Sequence, residues 1–181
     1  KHVCNESMKS QEFTNISIRG RVAFAILCLE KAIIHFGFDI YDWSFVLNLL
    51  WSITNTKLGS WHYPLAECTG RSIINDEGHL DDLEFLTKEK FWELNKLYKN
   101  ANHAILRMID LIFEISTRDL YASIVNASPD TLKYLQEIID MMNQNEIPLP
   151  DAKLFQKFPI TENEGWGREF SRDEIYNGDN I

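Results

Sequence analysis

His103, Arg107, Asp110 and Glu114 recur at i, i+4, i+7 and i+11, the spacing that lines four side chains along one stripe of a helix. A histidine beside two carboxylates is a candidate acid/base set, because imidazole exchanges a proton near neutral pH and a carboxylate can orient it. The opposite side of the same segment is apolar (Ile105, Met108, Ile109, Ile112, Ile115), so the stripe also reads as the solvated side of an amphipathic helix, and that reading is preferred. His62, between Trp61 and Tyr63, reads as a packed turn residue rather than a ligand. Glu30 and His35 are the chemistry-bearing residues of the most apolar stretches. They project about 140° apart on a helix and do not converge. No G-x-S-x-G, phosphate-cradling glycine loop, H-E-x-x-H or paired E-x-x-H occurs. The expectation is a protein with no catalytic residue, no metal and no cofactor.

Charge placement carries more information. Asp76 to Glu84 holds five acids (Asp76, Glu77, Asp81, Asp82, Glu84) and no Lys or Arg, while Thr161 to Ile181 holds six acids against Arg168 and Arg172. Together these two segments account for the entire net charge of −9. Acids clustered in loops serve solubility. They also speed encounter with a cationic protein and reject anionic ones. Nucleic acid and anionic membrane are disfavoured as partners by the same charge. Trp166, set in Glu164-Gly165-Trp166-Gly167, is the candidate apolar anchor beside the acids, since a Trp between glycines can be presented on a loop. The expected partner-binding set is therefore Asp76, Glu77, Asp81, Asp82, Glu84 and Trp166.

The elements that position these residues are read as helices. Ser17 to Phe36 is apolar around most of its circumference and stops at Gly37, the pattern of a helix in the middle of a bundle. A second helix is expected from an Asp42 N-cap through Ile53. A short helix from Pro64 to about Gly70 and an irregular Ser72–Leu86 follow. Helices are then expected from Thr87, from Asn102 to Ser116, and from Ser128-Pro129-Asp130, where an N-cap, a first-turn proline and an acid coincide. Pro148 and Pro150 prevent continuation. The prediction is an all-α, single-domain bundle of about five to seven helices over residues 17–150. An N-terminal extension (1–16) precedes it and an irregular acidic C-terminal arm (151–181) follows, as part of the same domain.

With 181 residues and 45% hydrophobic content the chain can bury one sizeable core, which excludes low-complexity disorder. Cys4, Cys28 and Cys68 are odd in number, with no C-x-x-C, and read as reduced thiols. Lys1–Ser10 is polar and the first apolar run is interrupted by Glu30 and Lys31, so neither a signal peptide nor a membrane span is expected. A cytoplasmic setting follows as an expectation.

The run Arg21-Val22-Ala23-Phe24-Ala25-Ile26-Leu27-Cys28-Leu29-Glu30, then Trp43 to Trp51, Leu120-Tyr121 to Ser128-Pro129-Asp130-Thr131-Leu132, and Glu164-Gly165-Trp166-Gly167 resemble small acidic helical immunity proteins of bacterial polymorphic toxin systems. The similarity is one of general pattern over residues 17–170. It implies a non-catalytic cytoplasmic protein that neutralises a cognate toxin domain, often a nuclease, by covering its basic active face. A helical adaptor holding a partner in an apolar groove is the alternative, and a small helical enzyme using His103 or His62 the second.

Overall fold

Ser17 starts the central helix by accepting the Gly20 amide on its hydroxyl at 3.1 Å, and α1 (Ile18–His35) runs until Gly37 turns left-handed at φ +83°. A computed structural model describes residues 8–75 and 77–177, the side chains of 75 and 77–79 excepted. Every residue of α1 from Ile18 to Glu30 is buried, as its all-round apolar pattern requires. α2 (Ser44–Asn55) returns antiparallel to it. α6 (His103–Thr117) and α7 (Pro129–Gln144) pack on α1, and α4 (Gly70–Asn75) with α5 (Lys88–Lys99) extends the bundle beside α6. α3 (His62–Ala66) and α8 (Asp173–Tyr176) are single turns. Eight α-helices and no strand occur among the described residues, an all-α bundle as expected. None of these helices is long and apolar enough to cross a membrane.

Most of the caps follow the sequence. Thr87 accepts from the Lys90 amide at 3.1 Å, and Asn102 from the Ala104 amide at 2.8 Å. Two differ. Asp39, not Asp42, makes the turn before α2: its carboxylate accepts from the Tyr41 amide and begins a 3₁₀ turn, Ile40–Trp43, that runs into α2 at Ser44. Pro129 does begin α7, but Ser128 is left-handed (φ +52°) and its hydroxyl donates to Asp119 instead of capping the helix. The segment Ser72–Leu86, expected to be mainly irregular, holds the end of α4 and a 3₁₀ stretch, Glu77–Asp82.

The described parts of the expected extension (8–16) and arm (151–177) contribute side chains to the core. Phe13 lies 4.5 Å from Phe24 and Phe155 5.6 Å from it, ring centre to ring centre, so residues on either side of the helical region meet on α1. The tail runs along α1: the Ser17 amide donates to Phe158 O, the Arg19 amide to Trp166 O, and Phe170 stacks on Phe158. Phe155, Phe158, Trp166, Phe170 and Ile175 are all buried. The arm carries two 3₁₀ turns, Ala152–Phe155 and Asn163–Gly165, and the short α8, and these buried side chains anchor it to the bundle.

Candidate functional site

Two buried arginines on α1 organise the surfaces at its N-terminal end. Arg19 donates to Ile53 O, Thr56 O and Gly167 O, tying the end of α2 to the tail, and lies over the Trp61 ring at 5.6 Å. Arg21, fully buried, donates to the carbonyls of Phe13, Thr14, Ile16, Ala127 and Ser128 and to Thr131 Oγ1. Burial lowers its pKa to about 10, with partial compensation from Asp119, so it remains charged at neutral pH. The carbonyls it holds belong to an unusual turn in which Asn126, Ala127 and Ser128 are all left-handed (φ +52°, +57°, +52°). That conformation costs about 1–2 kcal/mol per L-residue. The guanidinium is the compensating contact.

The same end holds the motif built around Trp166. Sequence reasoning offers this Trp as an exposed anchor. It is instead 5% exposed, against Trp61 at 6.1 Å between ring centres. The flanking glycines serve that burial. A Cβ on Gly165 (φ +99°) would meet Ile124 at 3.0 Å, and one on Gly167 (φ +82°) would overlap Ser17. Trp166 is therefore withdrawn from the contact set as a protruding side chain, although it lines a cavity of about 550 Å³ with Asn15, Ile124, Ala127, Glu164 and Gly165.

The acidic residues divide. Asp76 lies outside the described residues, and Glu77 is placed only as part of its 3₁₀ stretch. Asp81, Asp82 and Glu84 are exposed, with Asp81 held by Lys88 Nζ at 2.9 Å. Phe85, which follows them, packs on Phe45 in the first turn of α2, placing this segment where α1 stops and α2 begins. The tail reaches the same end of the bundle. Arg172 pairs with the buried Glu30 at 2.5 Å and covers Trp51 at 5.3 Å. Tyr176 and Arg172 line a groove of about 460 Å³ with Lys31, Ile34, Tyr41 and Ser44, whereas Glu174 turns to Arg168, which lies over Phe158 beside the N-terminal end of α1. Glu164 stays behind at the N-terminal end, beside the cavity under Ile124. From Ser17 to Glu30 the axis of α1 advances about 20 Å at 1.5 Å per residue. The surplus charge is thus not one continuous face but a larger cluster at one end and a smaller one at the other.

No family model, no curated protein and no solved structure matches this chain.

The candidate catalytic groups separate in the fold. Asp110 accepts the Gly70 amide at 2.6 Å, and burial raises its pKa against the opposing pull of that bond. Arg107 makes two hydrogen bonds to Glu137 on α7, at 3.0 and 2.9 Å, and Glu114 faces Arg71 at 4.0 Å. The charged members of the stripe are engaged by two neighbouring helices, α4 and α7. His62 shares a 2.6 Å hydrogen bond with Tyr121 Oη and stacks on Tyr63. Among the described residues no group of three or more His, Cys, Asp or Glu is placed to hold a metal. Glu30 and His35 stay apart, but Glu30 acquires partners that spacing alone could not reveal, Trp51 Nε1 at 3.1 Å and Arg172.

Proposed function

We propose that this is a non-catalytic, immunity-type binding protein that acts in the cytoplasm and neutralises a cognate toxin by covering its basic active face. The observation that carries the reading is the company the carboxylates keep. At the α1–α2 end the exposed acids Asp39, Asp42, Asp81, Asp82 and Glu84 occur with exposed apolar side chains: Tyr41 (82% exposed), Ile34 (61%), Tyr176 (59%) and Phe85 (46%). Acids steer a cationic partner and reject anionic ones, while aromatic rings supply the contact energy that exposed ion pairs lack. The test is co-expression with the toxin encoded beside this gene. Asp81→Lys, Asp82→Lys and Glu84→Lys together are expected to abolish protection in a protein that still melts cooperatively. Full protection by that variant, or the absence of a toxin gene beside this one, overturns the proposal.

A second reading, a helical adaptor, is favoured by the exposed Leu58, Tyr63, Tyr121 and Val125 near His62, away from the larger acidic cluster. If it holds, Tyr63→Ser with Tyr121→Ser removes partner binding and the charge reversal leaves it intact.

A further inference from the structure

The 550 Å³ cavity at the N-terminal end of α1 is bordered on one side by Ala122, Ser123, Ile124 and Ala127. Ser123, Ile124 and Val125 belong to no helix or turn, and Ile124 packs on Gly165 while Ser123 and Val125 face solvent, the alternation of a strand. Among the described residues, the amide N–H groups of Ser123, Ile124, Val125, Asn126 and Ala127 and the carbonyls of Ser123 and Ile124 make no hydrogen bond. This is the row of free donors and acceptors that a sheet edge offers. It is held rigid from below: Arg21 grips Ala127 O and Ser128 O, and Ser128 Oγ donates to Asp119.

The opposite wall supplies charge. Among the described residues Glu164 is the one ionisable side chain lining the cavity, together with Trp166, Thr14 and Asn15. In the same turn as Glu164, the buried Oε2 of Glu162 has no hydrogen-bond partner among the described residues. Among the described residues no Lys or Arg lines this cavity. A carboxylate beside an indole suits an ammonium or guanidinium group. We infer that this cavity docks an extended, basic peptide segment of a partner, which adds to Ser123–Val125 through main-chain hydrogen bonds and places a Lys or Arg against Glu164 and Trp166. The site lies at the other end of α1 from the larger acidic cluster and does not depend on the toxin reading.

The probe is an acetylated, amidated hexapeptide alternating Val and Lys. It is compared with the same peptide N-methylated at alternate amides and with an alternating Val–Glu peptide. Binding is measured on the full chain, with amide hydrogen exchange locating the site. The Val–Lys peptide is expected to slow exchange at 123–127. N-methylation is expected to weaken binding by about tenfold or more, as loss of several main-chain hydrogen bonds requires. Glu164→Gln should weaken it several-fold without changing the melting temperature, and the Asp81, Asp82, Glu84 reversal should leave it unchanged. Equal binding of the N-methylated or Val–Glu peptide, protection elsewhere, or no binding of the Val–Lys peptide overturns the assignment. Loss of binding in the charge-reversed variant alone would place the peptide at the acidic end instead and likewise overturn it.

Discussion

Replacing Arg21 by Met tests what holds the left-handed turn. Of the groups Arg21 bonds, Thr14 O, Ile16 O and Ala127 O have no other donor among the described residues. An acceptor stranded in the interior costs about 1–3 kcal/mol, so three would cost about 3–9 kcal/mol. Thr14 and Ala127 are only half-buried, and water entering there pulls the figure toward the lower end. Removing the guanidinium also returns its desolvation. A pKa held at about 10 instead of 12.5 corresponds to roughly 3 kcal/mol. Methionine fills much of the vacated volume with a flexible apolar chain. The net loss should be about 2–4 kcal/mol, with a melting temperature lower by about 4–16 °C for a chain of this size. Amides of 118–128 should exchange faster than the rest of the bundle. Urea unfolding and hydrogen exchange together decide it. A loss below about 1 kcal/mol with unchanged exchange in the loop would refute the argument, because the strained turn would then be standing without its guanidinium.

Three further outcomes follow from the same contacts. Gly165→Ala should cost about 2–3 kcal/mol in urea unfolding, from the left-handed backbone and the Ile124 contact together, and Ile124→Ala in the same chain should recover only the steric part. Tyr98 Oη donates to Cys68 O at 2.6 Å, and burial raises its pKa well above the usual phenol value. Its folded value exceeds its unfolded one, so its contribution is full below about pH 10 and is lost as pH rises through and above that value; Tyr98→Phe should flatten this part of a stability–pH curve. Burial raises the thiols too, Cys68 to about 12 and Cys28 further. In a Cys4→Ser background both should react with a thiol reagent only at the rate of unfolding, and faster labelling in native buffer would contradict their burial.

The helices were legible where a single face repeats. α5, α6 and α7 each carry a stripe against the core, and the all-round apolar pattern of α1 announces a central helix. The tail was not, because Phe155, Phe158, Trp166, Phe170 and Ile175 are spaced to reach successive positions along α1 rather than to follow a helical or strand period. Arg19 and Arg21 escaped notice for a related reason: arginine is ordinarily a surface residue, and a buried one is stabilised by carbonyls that arrive from distant parts of the chain. Their position inside an unbroken buried run, with Ile18 before and Val22 after, was the available signal. The glycines around Trp166 were noticed, but with the opposite meaning. Spacing reports that the chain can approach something closely there; Ser17 and Ile124, the things approached, are known only in three dimensions. The acids of 81–84 were found as a cluster, whereas the places of Glu164 and Glu174 depend on how the tail is laid along α1.

That tail has a consequence for how the molecule is made. While a ribosome is still adding residues up to about 150, Arg19 lacks its Gly167 acceptor, Glu30 lacks Arg172, and the aromatic side of α1 that Phe155 and Phe158 cover faces water. Nascent helices can form early, but the central one cannot be sealed until residues 155–172 have emerged and been laid along it. During synthesis, then, closure of the central helix should come late, after the segment that covers it has been made.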